Sequence, residues 1–264
     1  MTIMLVDRVI DALRAGTAEL DPVVGGLTDA QLEGPSAAAE WDVSQVLSHL
    51  GSGAVIGLAG LEAAVTGKPS PGMPFNEEVW ARWNAMSPEE RREGYLSANA
   101  ALLAWWGALD DTAKRDVTTD LGFLPVPVDL GTAARFRLNE FALHSWDVRV
   151  AVDPGAVVEP AAAPLLLDHM AFMFGRIAKL DRWQQGPTTV LVTVADAGRT
   201  FGLTLGEGGG LGEAPESPDA TLTITAQAWL RLVTGRLSPR FSQAGVDVEG
   251  AVDLDGLRSV FPGY

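Results

Sequence analysis

Two of the three histidines in this chain lie where they could bind a metal ion. His49 falls midway along one predicted long helix, and Glu140 precedes His144 by four residues on another. A spacing of four puts Glu140 and His144 one turn apart on the same helix face. If that face points toward His49, two imidazoles and a carboxylate form a three-ligand site with an open position, which zinc, nickel and ferrous iron all accept. The same spacing is also typical of an ordinary surface pair.

The neighbours of Glu140 and His144 favour the inward orientation. Phe141, Leu143 and Val148 are apolar, so we expect the helix to bury this face in a core, where unpaired charge is costly. A bound cation would remove that cost.

Two further polar residues near these motifs have alternative interpretations. Asp147 could accept a hydrogen bond from His144 and orient it, or it could pair with Arg149 at the surface. His169 lies on a later amphipathic helix, and we expect it to be packed or at the surface rather than a further ligand.

Four long amphipathic helices are predicted to carry these residues. They cover about 3–20, 41–66, 87–109 and 132–152, the third opened by the helix-start signal Ser87-Pro88-Glu89-Glu90. Helices of comparable length indicate a four-helix bundle. The turn Asp153-Pro154-Gly155 predicts a boundary between a helical domain, 1–152, and a second domain, 153–264.

The second half changes period. A helix at 161–180 is followed by β-type patterns at 188–195, 200–205, 220–225 and 246–248, with helices at 226–234 and 254–260. This order predicts an α+β domain around an antiparallel sheet. The glycine-rich stretch 206–212 follows a strand and opens no helix, so we interpret it as a hairpin loop rather than a phosphate site.

Composition excludes several function classes. The net charge of −15 argues against nucleic acid or an anionic membrane as the main partner, since both need clustered Lys and Arg. The chain has no cysteine, so any sulfur nucleophile must be a small molecule. The first sixteen residues lack the charge pattern of a signal peptide, and we expect a cytoplasmic protein.

Two motifs resemble those of a known family. WDVSQVLSHL (41–50) resembles the first metal motif of the DinB-like bundles, and EFALHSWDV (140–148) resembles the second as it occurs in the mycothiol-dependent maleylpyruvate isomerase family of actinobacteria. The stretch DATLTITAQAWLRLVTG (219–235), followed by Arg236, resembles part of that family's C-terminal sterol-carrier-like domain. Many members have a Pro-Gly step before the motif tryptophan, where this chain has Ala39-Glu40.

The resemblance implies a fold, a metal and a cosubstrate. The fold is a DinB-like four-helix bundle followed by a sterol-carrier-like α+β domain. The metal is a divalent ion, zinc in most members, held by His49, Glu140 and His144, and the cosubstrate is the sugar-linked thiol mycothiol. Arg236 resembles an arginine that members direct at the active site. Arg82, between the second and third long helices, is a further candidate for binding carboxylate or thiol.

A metal beside an external thiol indicates two related reactions. A thiolate can add to a conjugated double bond and leave after rotation, which is isomerisation, or it can stay on a small electrophile, which is S-transfer. A metal-dependent hydrolase and a non-catalytic protein that binds a small molecule or lipid are the alternatives. We expect a monomer or homodimer.

Overall fold

The computed structural model describes residues 4–241 and 243–263. It divides the chain into two compact units, one up to Asp153 and one from Pro154 onward. We call the first the helical unit and the second the sheet unit.

Long helices dominate the helical unit. Its elements are α1 Leu5–Gly25, α2 Asp29–Leu32, α3 Val43–Val65, α4 Gly72–Asn84, α5 Pro88–Ala108, α6 Asp111–Asp116 and α7 Leu130–Val152, with a pair of antiparallel strands, β1 Thr118–Thr119 and β2 Val128–Asp129. Helix α1 packs against α5 and α7, and α3 packs against α4, α5 and α7. The four long helices predicted from sequence are present, while α4 is additional. Its apolar pattern is weak, and its first turn contains Gly72 and Pro74, so the periodicity of the sequence does not predict this helix.

Side-chain caps fix where the site-bearing helices begin. Asp42 Oδ1 accepts a hydrogen bond from Gln45 N at 2.7 Å and opens α3, and Asp129 Oδ1 accepts from Thr132 N at 2.9 Å and opens α7. The start of α5 is set by Ser87 in a capping box with Glu90. Inside the unit, Leu50, Leu138 and other apolar side chains form a buried core.

By length and composition alone, one of the described helices, α3, could cross a membrane. Half of its most apolar stretch is buried within the structure. A core helix that packs against several neighbours has the same composition, and α3 packs in this way.

The sheet unit is a mixed α+β structure. Its elements are α8 Ala163–Ile177, β3 Thr188–Val194, β4 Arg199–Leu205, β5 Gly210–Gly212, β6 Ala220–Ile224, α9 Ala226–Val233, β7 Val246–Gly250 and α10 Leu254–Val260. The strands form one sheet in the order β5-β4-β3-β6-β7. Residues along β3 alternate between buried and half-buried, as expected for a strand with one covered face.

The predicted antiparallel sheet needs one correction. Three pairings are antiparallel, but β3 and β6 are parallel, with Val190 opposite Ala220. The chain leaves β5 and passes over Gly202 of β4, where an added Cβ would lie 2.3 Å from Glu213 O. This crossing brings β6 in beside β3 in the same direction. The predicted glycine-rich loop also shortens, because Gly210–Gly212 forms edge strand β5.

Candidate metal centre

The structure brings the three predicted ligands together within the helical unit. His49 lies on α3, and Glu140 and His144 lie one turn apart on α7. His49 Nε2 is 3.0 Å from Glu140 Oε2, and His144 Nε2 is 3.8 Å from the same oxygen. One ligand atom from each residue lies within 4.8 Å of the others. We call His49, Glu140 and His144 the metal cluster.

A buried carboxylate orients His144. Its Nδ1 is 2.9 Å from Asp147 Oδ2, and the Asp147 side chain is fully buried. Because a carboxylate only accepts, Nδ1 carries the proton and Nε2 presents its lone pair toward Glu140. Arg149 instead pairs with Glu19 at 2.9 Å. The structure therefore confirms the first of the two interpretations of Asp147.

Glu140 carries a negative charge at neutral pH. Burial alone would raise the pKa of its carboxyl, but the hydrogen bond with His49 and the charges of His144 and His49 outweigh burial and lower it to about 2. Asn139 Nδ2 donates to Oε1 at 3.2 Å and adds to this effect. With Oε1 engaged by Asn139, Oε2 is the oxygen that faces both imidazoles.

The ligand atoms of the metal cluster fit a divalent cation. Two neutral imidazole nitrogens and one carboxylate oxygen are ligands that zinc, nickel and ferrous iron accept. The side chains of His49 and Glu140 are 39% and 41% exposed, whereas that of His144 is 14% exposed. An ion held there would keep a face open to a small molecule, which is the arrangement of catalytic rather than structural metal sites.

Trp41 covers one side of both imidazoles. Its ring centroid is 5.3 Å from that of His49 and 5.9 Å from that of His144. The preceding residue, Glu40, has a φ of 68°, in the left-handed region that favours glycine. The tight turn that precedes α3 and positions Trp41 therefore has a strained backbone at Glu40.

A cavity of about 210 Å³ adjoins His49. Its walls contain three indoles, those of Trp41, Trp80 and Trp83. Neutral polar side chains, His49 and one arginine complete the lining: Gln45, Ser48, Ser52, Asn84 and Arg91. Trp83 is 3% exposed, and its ring occupies the space that a Cβ on Gly51 of α3 would need, at 2.1 Å. This close approach docks α4 onto α3 and forms one wall of the cavity.

The arginine beside this cavity is Arg91 rather than the predicted Arg82. Arg82 is exposed on α4, and the lining given by the described residues includes its neighbours Trp80 and Trp83 but not Arg82 itself. Sequence reasoning missed Arg91. The signal for it was its place in the first turns of α5, directly after the start signal at Ser87.

Arg236 and His169 lie in the sheet unit. Arg236 is half-buried and its Nη1 donates to Thr234 O at 3.3 Å. His169 is 5% exposed on α8, with its ring 6.5 Å from that of Phe172, so it is a packed histidine.

A second arginine of the helical unit went unnoticed in the sequence. Arg137 lies one turn before Glu140 on α7, and its Nη1 would be 3.4 Å from a Cβ on Gly53, one turn after His49 on α3. Burial lowers the pKa of Arg137 to about 10, opposed by the charges of Tyr95 and Glu140. It therefore remains a cation at neutral pH. It lies one turn from Glu140 on α7 and faces α3 one turn from His49.

Comparison with known proteins identifies a family and a shared fold. The family model of the mycothiol maleylpyruvate isomerase N-terminal domain matches residues 13–149, just over half of the chain. No curated protein sequence matches. The solved structure of a mycothiol-dependent maleylpyruvate isomerase is similar with a TM-score of 0.64 and 18% identity, covering 96% of this chain and 98% of that one. A histidine-to-alanine mutant of that enzyme is similar with a TM-score of 0.63, the same identity and the same coverage. Both likenesses show a shared fold.

Proposed function

Since this chain belongs to the mycothiol maleylpyruvate isomerase family through its N-terminal domain, we propose that it is a metal-dependent enzyme that uses a low-molecular-weight thiol, mycothiol, as its nucleophile. The reaction is isomerisation of, or S-transfer to, a small electrophilic substrate. The observation that carries the proposal is the approach of two imidazole Nε2 atoms to one charged carboxylate oxygen, Glu140 Oε2, with one side of the cluster exposed.

In this proposal His49, Glu140 and His144 hold a divalent ion, with zinc as first choice and nickel or ferrous iron as alternatives. When bound, the ion supplies positive charge that lowers the pKa of a coordinating thiol from about 8.5, so that the thiol ionises near neutral pH.

The remaining roles belong to the chain's own side chains. Asp147 keeps the His144 proton on Nδ1, so that Nε2 stays a ligand. Asn139 holds Oε1 of Glu140 and thereby fixes the direction of Oε2. Trp41 shields one side of both imidazoles from water.

We further propose that arginine binds the negatively charged parts of substrate and thiol. Arg236 is the first candidate because of its resemblance to the family's arginine, and Arg82 is the second. Replacing Arg236 with lysine keeps the charge but removes the planar fork, so we expect weaker substrate or thiol binding with unchanged metal content. An unchanged KM for both substrates in Arg236→Lys would remove Arg236 from the proposal.

The proposal extends to architecture and location. Residues 1–152 form a DinB-like four-helix bundle and 153–264 a sterol-carrier-like α+β domain, each folding as a domain. The protein acts in the cytoplasm as a monomer or homodimer. The absence of cysteine fits the external thiol.

The decisive experiment measures whether turnover needs the thiol. Purified protein is loaded with zinc and titrated with mycothiol in weakly buffered solution, and the proton release is recorded. If the thiol binds as thiolate, we expect release of about one proton per site near neutral pH. With substrate present, the rate of its conversion should saturate with thiol and disappear when a chelator removes the metal. Rapid conversion of substrate with metal and water alone would instead show a hydrolase.

A further inference from the structure

The cavity beside His49 differs in chemistry from the metal cluster. No carboxylate is among the described residues that line it, and apart from His49 and Arg91 its polar side chains are amides and hydroxyls. The indoles of Trp41 and Trp80 are 37% and 43% exposed. Because no described residue of the lining is negatively charged, the cavity does not attract a cation by charge. Its amides and hydroxyls suit a neutral polar molecule.

Arg91 brings one positive charge to the cavity, and three hydrogen bonds hold it in the wall. Its Nε donates to Trp83 O at 3.3 Å, Nη1 donates to Ser44 Oγ at 3.2 Å, and Nη2 donates to Asn84 O at 3.0 Å. Three of its five N–H groups thus serve protein acceptors, which leaves one N–H on each Nη nitrogen as a donor for a ligand. Arg91 also ties α3, α4 and α5 together.

Several hydrogen-bonding groups remain for a ligand. Gln45 Oε1 accepts from Asp42 N at 2.9 Å in the capping box, which leaves the Nε2 donors of Gln45 available at the wall. The hydroxyls of Ser48 and Ser52 and the amide of Asn84 are further polar groups of the lining.

Exposed indole faces combined with amide donors and hydroxyls suit a sugar ring. Its C–H face packs on the aromatic ring while its hydroxyl groups both donate and accept. We propose that this cavity binds the sugar portion of the thiol cosubstrate and so places the thiol arm beside His49. The inference rests on the thiol use proposed above and adds where the thiol is recognised.

Calorimetry on the zinc-loaded full chain tests this assignment. Three ligands are compared: mycothiol, N-acetylcysteine, which is a thiol without sugar, and the sugar portion of mycothiol without its thiol arm. We expect Trp80→Ala to weaken binding of mycothiol and of the sugar portion about tenfold, and to leave N-acetylcysteine unchanged. Gln45→Glu keeps the acceptor for Asp42 N but removes the amide donor, and it should weaken the same two ligands severalfold.

Trp105→Ala is the matched control, because Trp105 lines a separate depression with Pro69 and Pro71. It should change none of the three affinities. If Trp80→Ala and Gln45→Glu leave the sugar portion's affinity unchanged, or if succinate displaces the sugar, the assignment is wrong while thiol-dependent turnover can still stand. If turnover needs no thiol but the sugar portion binds wild type tenfold more tightly than Trp80→Ala, the proposed function fails and the sugar site remains.

Discussion

Helix α7 contributes to two polar clusters that pair their atoms in different ways. In one, which we call the core network, three side-chain donors each bond a different acceptor. Tyr95 Oη donates to Asp21 Oδ1 at 2.9 Å, Asn99 Nδ2 donates to Thr17 Oγ1 at 3.0 Å, and Arg137 Nη2 donates to Asn99 Oδ1 at 3.3 Å. In the metal cluster, two imidazole nitrogens point at one oxygen, Glu140 Oε2.

We propose that the difference separates a structural cluster from a functional one. The core network joins α1, α5 and α7 with cations, anions and neutral groups that the chain itself supplies. In the metal cluster, Glu140 Oε2 faces both imidazoles, an arrangement that we propose a bound cation completes. The two clusters should then respond differently to metal and to mutation.

The largest expected effect is loss of metal from His49→Ala and His144→Ala. Each removes one of three ligands, so zinc affinity should fall by more than the roughly 10–100-fold that losing an outer partner costs. Metal analysis after dialysis and far-ultraviolet circular dichroism measure the two consequences, and helicity should persist. His169→Ala is the control, because His169 is a packed histidine of the sheet unit and its loss should leave zinc bound. Full zinc occupancy in a His49→Ala, His144→Ala double variant would refute the assignment.

A smaller effect is expected from Asp147→Asn. The amide has the same shape but not the charge that holds the His144 proton on Nδ1, so zinc affinity should fall about 10–100-fold. Competition with a chelator gives the affinity. Glu19→Gln removes the partner of Arg149 without touching His144 and should leave zinc affinity unchanged. Equal affinities in Asp147→Asn and wild type would mean that Asp147 does not orient the ligand.

Tyr95→Phe should act on the core network alone and cost about 1–2 kcal/mol of unfolding free energy. Burial raises the pKa of Asp21 and the hydrogen bond from Tyr95 partly offsets this, so the ionised carboxylate costs stability above its folded pKa. That cost is removed as pH falls through this raised pKa. Removing the phenol enlarges the cost, and the difference between variant and wild type should therefore be greatest at neutral pH and shrink in acid. Urea unfolding at several pH values measures it, and a pH-independent difference would contradict this account. Zinc affinity should not change.

Much of the metal cluster was accessible from sequence, while the core network and the cavity were not. Glu140 and His144 share one helix, so their spacing alone fixed their common face. His49 lies 91 residues before Glu140, so its place beside them depended on the bundle hypothesis and on the family motif. Arg137 and Trp83 have no local signal of this kind, because their positions depend on close approaches at glycines. Gly51 admits the ring of Trp83, and Gly53 admits Arg137.

The parallel pairing of β3 and β6 escaped prediction for the same reason. Strand patterns specify which residues alternate, but not which neighbour a strand joins. That choice depends on the chain crossing β4 at Gly202, a residue with no side chain to signal its role.

The smallest expected effect concerns Glu40, which strains the backbone beside the metal cluster. Its φ of 68° costs a residue with a Cβ about 1–2 kcal/mol, whereas glycine adopts it freely and loses about 0.5–1 kcal/mol in unfolded-chain entropy. Glu40→Gly should therefore stabilise the protein by about 0.5–1 kcal/mol, measured by urea unfolding. Ala39→Gly carries the same entropy cost without a left-handed residue to relieve, and it should destabilise. Opposite signs at adjacent exposed positions would show that the turn before Trp41 is strained. If Glu40→Gly destabilises as much as Ala39→Gly, the backbone at Glu40 is not strained in solution.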